Sequence, residues 1–166
     1  MIKAKTVAFV AVMAALANVL SFPPFAIPLQ FGAFPSSIHF FQVAIFICAI
    51  LAGPLAGLIA GTIGGLYMGI TRIPFVIGGI AILGVCCGLM AKKFRPFIAC
   101  LLAFLIQVPY VLITDYLWFT YFVGASSAAA WAIIVPIIAV LSLETLICAV
   151  LAEIIVHYIR KAGFRF

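Results

Sequence analysis

Few side chains in this chain can take part in chemistry, and their positions narrow what that chemistry is. Of 166 residues only three are acidic, Asp115, Glu144 and Glu153, and only two are histidines, His39 and His157. Glu144 lies well inside a long apolar run. An ionisable group at such depth is costly and faces a cavity or a partner. Three roles stay open for it: touching a substrate, coupling a proton, or hydrogen-bonding a polar neighbour while protonated. Gln107, Tyr110 and Thr114 recur at i, i+3 and i+7, one face of a helix. Arg72, Asp115, Trp118 and Tyr121 fall in connections expected at the same end of the molecule, and His39 with Gln42 falls near the start of an apolar segment. A few polar groups in an aromatic and apolar surround describe a small-molecule site better than an active site. Blander readings stand beside this one. Trp118 and Tyr121 equally suit interface anchors, and Arg72 and Asp115 equally suit a mutual pair or solvent. Glu153 and His157, at i and i+4, read as a solvated or mutually paired couple.

Enzyme signatures are absent. The chain has no H-E-x-x-H, no G-x-S-x-G, no phosphate-binding G-x-x-x-x-G-K-[ST] and no acidic cluster for magnesium. Neither catalysis nor ATP use by this chain is expected, and no cofactor. Two histidines in separate halves make no metal site. Five cysteines (48, 86, 87, 100 and 148) lie in apolar segments without ligand spacing, and are expected to pack as small hydrophobic residues.

The elements that must hold these groups are membrane helices. The chain is 69% hydrophobic and 7% charged, with a mean hydropathy of +1.46. No soluble domain of this length hides so much apolar surface. The expected architecture is all-α, a single six-helix transmembrane domain over residues 1–166, surrounded by lipid. Its spans are expected at about 4–22, 38–52, 54–70, 75–91, 97–114 and 128–158. Met1 to Leu20 has the form of a signal peptide, with Ala15-Leu16-Ala17 like a cleavage site; an uncleaved first helix is expected. Glycines 53, 57, 61, 65 and 69 recur every fourth residue in the third span, the pattern of close helix approach. They predict a central helix with near neighbours on more than one side. Ser21 to Ser37 carries Pro23, Pro24, Pro28, Pro35 and Gly32 yet stays apolar, so it reads as a helix-free lid over a cavity or an interfacial plug. The last span exceeds what a bilayer needs, and a tilt or a bend near Pro136 is expected.

Charge then orients the bundle. Six spans put Lys3, Lys5, Lys92, Lys93, Arg95, Arg160, Lys161 and Arg165 on one side and Arg72 alone on the other. By the positive-inside rule the shared side, with both termini, is cytoplasmic. The net charge of +6 is therefore a topology signal and not a nucleic-acid footprint.

Ala11-Val12-Met13-Ala14-Ala15-Leu16, the proline-rich connection, and Ala49-Ile50-Leu51-Ala52-Gly53-Pro54-Leu55-Ala56-Gly57 together resemble the substrate-binding S components of energy-coupling factor (ECF) transporters, over roughly residues 7–70. The resemblance implies a multi-pass protein of a prokaryotic plasma membrane that captures a vitamin, a vitamin precursor or a similar micronutrient from outside. It implies a transmembrane coupling subunit and two cytosolic ATPases as partners, with Ala11 and Ala15 at the coupling-subunit contact. It also places the binding site among the outer loops and outer helix ends. Which micronutrient is bound does not follow. The absence of histidine at positions 2–5 sets the metal-uptake members aside and favours an organic ligand, with a heterocycle stacked on Trp118 or Tyr121 and Arg72 meeting an anionic group. Two other classes remain: a stand-alone proton-coupled transporter working through Glu144, and a membrane assembly factor or small integral enzyme.

Overall fold

A computed structural model describes residues 4–31 and 34–164, with side chains 30–36 set aside. Lys3, Gly32 and Arg165, used above, lie outside the described residues. Among the described residues are seven α-helices and one hairpin: α1 (Ala4–Leu20), β1 (Ile27–Phe31), β2 (Phe34–Ile38), α2 (Phe41–Ala52), α3 (Pro54–Gly64), α4 (Leu66–Thr71), α5 (Val76–Met90), α6 (Pro96–Leu117) and α7 (Ser127–Lys161). Since α3 and α4 run on as one 18-residue span, six apolar spans result. Three are long and apolar enough to cross a bilayer by themselves, 54–71, 96–122 and 127–161; α1, α2 and α5 are shorter. The protein is an all-α membrane bundle.

The centre belongs to α2 rather than to the glycine-rich helix. Every residue from Phe41 to Ile50 is buried, as expected of a segment apolar on all sides. At 12 residues it rises only about 18 Å, and it is enclosed by α1, α3, α5 and α7. Gly53, at φ +91°, makes the tight reversal out of α2, and Pro54 opens α3 where its missing N–H costs nothing. The glycine-rich helix still has near neighbours on more than one side, α5, α2 and α1, as its spacing predicts. Gly57 faces Gly84 of α5 backbone to backbone, and a methyl added at Gly57 would lie 2.7 Å from Ala49 Cβ and 2.8 Å from the Gly84 carbonyl carbon. The opposite side of α3, with Leu55, Leu58, Ile59 and Ile63, is exposed where lipid would meet it.

Three further expectations are corrected. The 21–37 connection is not helix-free coil alone: after a short turn at Pro23–Phe25 it forms an antiparallel hairpin with Ile27 opposite Ile38 and Phe31 opposite Phe34. Proline is tolerated there because a two-stranded ribbon has only edges. The second helix starts at Phe41, which leaves His39 in the connection. The fifth span does not stop at Thr114; α6 runs through Leu117 and continues as one wide π-helical turn, Trp118–Phe122. The last helix is one element of 35 residues, Ser127–Lys161, with Pro136 inside it. The cysteines are free, and all but half-buried Cys86 are buried, with Cys87 and Cys100 sulfurs 3.8 Å apart across α5 and α6.

Candidate ligand-binding site

The end of the bundle opposite the lysine-rich loop contains a cavity of about 120 Å³. Five segments supply its walls: His39 and Gln42 where the hairpin enters α2, Met68 and Arg72 from α4, Phe75, Val76 and Ile80 leading into α5, Gln107, Tyr110, Thr114 and Asp115 of α6, and Ile137, Val140 and Glu144 of α7. Eight of the ten candidate residues thus meet in one place: His39, Gln42, Arg72, Gln107, Tyr110, Thr114, Asp115 and Glu144.

Each is placed by a local reason. The i, i+3, i+7 face of α6 turns its stripe toward the cavity. Tyr110 is fixed by donating from its hydroxyl to the Phe75 carbonyl at 3.2 Å, and its ring lies over Gly78, where any side chain would collide with the hydroxyl. Thr114 donates to the Tyr110 carbonyl at 2.9 Å. Gln42 accepts from the buried Thr145 hydroxyl at 2.9 Å, which orients its amide so that the NH₂ end turns toward the Glu144 carboxyl group. Glu144 is 1% exposed. The Gln42 side chain, the His39 backbone and the Arg72 guanidinium face its carboxylate, yet its Oε1 has no hydrogen-bond partner.

Arg72 does not pair with Asp115. Its Nη2 lies 3.3 Å from His39 Nε2. His39 sits outside the helices and is 4% exposed. Burial, and then the Arg72 charge, lower its pKa to about 4, so at neutral pH the ring is uncharged and its Nε2 can accept from the guanidinium. Asp115 is not a loop residue but lies in the last turn of α6, 3% exposed. Three buried polar atoms around the cavity lack partners: His39 Nδ1, Gln107 Oε1 and Glu144 Oε1. Buried polar atoms are nearly always satisfied, so unpaired ones grouped around a cavity mark places where a ligand can complete the bonding.

Two candidates stand apart. Tyr121 is 75% exposed, and neither it nor Trp118 lines the cavity. The π-helical turn rotates Trp118 so that it stacks on Phe122 with centroids 5.0 Å apart and meets Phe75 edge-on at 6.2 Å. The aromatic ring from this cluster that does line the cavity is Phe75, beside Tyr110 and Phe41. Sequence reasoning passed over it because a phenylalanine beside a proline is unremarkable among 16 phenylalanines. Asn18 was passed over as well; its signal is that of a lone amide in an otherwise apolar first span. Among the described residues no cluster of three or more His, Cys, Asp or Glu fit for a metal occurs.

A second concavity, about 320 Å³, lies between α1 and α3 and is lined by Thr6, Val7, Val10, Ala11, Ala52, Leu55, Ala56, Ile59 and Ile63. Ala11 sits in this groove; Ala15, one turn on, is exposed beyond its lining. Glu153 and His157 border a separate groove at the basic end.

Fold and cavity together define a multi-pass helical membrane protein with a polar-lined cavity at its less basic end. Residues 1–161 match the family model described as "ECF-type riboflavin transporter, S component". The chain belongs to that family and is a substrate-binding uptake component, not an enzyme. A solved structure described as "Structure and mechanism of the S component of a bacterial ECF transporter" superposes with a TM-score of 0.53, covering 96% of each chain at 20% identity; at that identity the likeness is one of fold. No curated protein matches the chain.

Proposed function

We propose that this protein captures riboflavin, or a vitamin closely like it, from outside the cell and releases it inward when driven by an ATP-hydrolysing coupling module. The observation that carries the reading is the group of unpaired buried polar atoms, Glu144 Oε1, Gln107 Oε1 and His39 Nδ1, set in apolar walls within a chain of this family. Riboflavin has the complementary chemistry. Its ring system has an imide edge with one N–H donor between two carbonyl acceptors, and its ribityl chain adds hydroxyls that both donate and accept. Glu144, Gln107 and Asp115 supply acceptors, while Arg72 and the Gln42 NH₂ supply donors. Phe75 and Tyr110 supply ring faces or edges.

The cavity of about 120 Å³ is smaller than the roughly 300 Å³ at the low end of pockets for drug-sized ligands. A fused-ring ligand must therefore push side chains aside on entry, and the unbranched Met68 and Arg72 are the wall residues best able to yield. Ala11 and Ala15 would seat the coupling subunit, with the α1–α3 groove receiving its apolar side chains. The two ATPases would act through that subunit, consistent with the absence of a phosphate-binding G-x-x-x-x-G-K-[ST] from this sequence.

The test is extraction of small molecules from the purified, detergent-solubilised protein followed by mass spectrometry, with quenching of flavin fluorescence as the affinity measurement. Stoichiometric riboflavin, or quenching with a nanomolar Kd (about −12 kcal/mol), supports the reading. A folded protein that yields no vitamin and quenches no flavin overturns it.

A further inference from the structure

The α3–α4 span is interrupted between Gly64 and Leu66, and a side chain from another helix occupies the interruption. In an unbroken helix the Tyr67 N–H would donate to the Ile63 carbonyl, four residues back. Here Asn18 of α1 is spliced into that rung. Its Nδ2 donates to the Ile63 carbonyl at 2.7 Å, and its Oδ1 accepts from the Tyr67 N–H at 3.1 Å. The same Nδ2 also donates to the Ala14 carbonyl at 3.1 Å, which ties the amide back to its own helix. A side chain inserted in the ladder is a recognised cause of a helix kink. The interruption opens α4, which carries Met68 and ends at Arg72, and both side chains line the cavity.

Two more contacts join the end of α1 to the same place. Phe22 stacks on Tyr67 with centroids 4.2 Å apart. The Ser21 backbone faces His39, whose ring meets Arg72. Asn18 also lies on the Ala11–Ala15 face of α1, three residues beyond Ala15, and Ile63, whose carbonyl it holds, lines the α1–α3 groove. The amide therefore stands between that groove and the arginine of the cavity.

We propose that Asn18 is a positioning residue that sets Arg72 by bridging the α3–α4 junction, and so tunes ligand affinity in the cavity. The ligand half of this inference rests on the proposed function; the positional half does not.

The test uses the full-length protein in detergent with riboflavin as probe, and two readouts. First, Asn18→Leu removes both bonds at similar volume and is expected to raise the riboflavin Kd about tenfold, but less than twofold in an Arg72→Ala background. That non-additivity is what action through Arg72 requires; a general loss of fold would penalise both backgrounds alike, and equal penalties overturn the proposal. Second, hydrogen exchange without ligand is expected to quicken at least tenfold over 66–72 in Asn18→Leu, with α5 and α6 unchanged. Unchanged exchange over 66–72 overturns the clamp. Should Asn18→Leu not fold, Asn18→Asp keeps the acceptor for Tyr67 and loses the donor to Ile63, and is read by the same two criteria. A wild-type protein that binds no riboflavin refutes the proposed function and the ligand half, and the exchange readout then decides the clamp by itself.

Discussion

Replacing Glu144 by glutamine separates the two ways in which this site can serve transport. The carboxylate is 1% exposed, faces Gln42 and Arg72, and leaves Oε1 unpartnered. If that oxygen accepts a hydrogen bond from the ligand, removing it leaves a buried donor unsatisfied at a cost of about 1–3 kcal/mol, or roughly 5- to 150-fold in Kd. Glutamine keeps the shape and one carbonyl oxygen, so Glu144→Gln is expected near the lower bound, about tenfold weaker. Glu144→Leu removes both acceptors and strands the Gln42 NH₂ and the Arg72 guanidinium against methyl groups. It is expected near the upper bound, about a hundredfold. Flavin fluorescence quenching on the purified variants gives the affinities, and labelled riboflavin uptake in cells with the coupling module gives transport. Uptake at saturating riboflavin should survive in Glu144→Gln if, as proposed, ATPases and not a proton supply the drive. Unaltered binding with abolished uptake refutes this reasoning and favours a proton-coupled carrier. Unaltered binding in both variants shows that Glu144 does not face the ligand.

Other substitutions probe the remaining walls and surfaces. Gly78→Ala would drive a methyl into the Tyr110 hydroxyl, so riboflavin affinity should fall about tenfold while the thermal midpoint moves little, because the ring can swing into the cavity. Gly57→Val places branched carbons against the Gly84 backbone and Ala49, and overpacking of this kind costs about 1–3 kcal/mol; a lowered thermal midpoint in detergent checks it, and an unchanged one refutes the close α3–α5 contact. Ala11→Phe fills part of the α1–α3 groove and should leave riboflavin affinity within about twofold, a polar-end property, while uptake falls more than tenfold. For pH, His39 is held at a pKa of about 4, below its ordinary 6.5, so the folded state resists the proton that the unfolded chain takes up. Its stabilisation is complete above about pH 6.5 and is lost as pH falls toward 4; thermal midpoints across that window should drop in wild type, and the drop should flatten in His39→Gln.

The spans were legible because a bilayer leaves the backbone little choice: long apolar runs must be helices, and glycine at every fourth residue must mark close approach. What the glycine pattern does not contain is which helix sits in the middle. A ladder on α3 records close neighbours, Gly84 and Ala49 among them, whereas α2 is buried all round and advertises it only by lacking any polar face. The hairpin was equally hidden, since prolines 23, 24, 28 and 35 argue against a helix without arguing for a strand pair.

In the site, legibility followed rarity. Where so few residues are polar, each buried one is there at a cost of several kcal/mol if unpaired, and this is why Gln107, Thr114, Asp115 and Glu144, from two helices, converge on one cavity. Aromatic residues have no such constraint in a membrane. Trp118 and Phe75 are equally at home facing lipid, a neighbour or a cavity, and a single π-helical turn, which no spacing in 115–122 foretells, decides between them by rotating Trp118 onto Phe122. Asn18 marks the boundary between the two cases. It is polar and therefore constrained, but what constrains it is the backbone of another helix, 45 and 49 residues further along the chain. Periodicity sees only partners on the same helix, so an amide that repairs a rung elsewhere becomes intelligible only once the helices are packed.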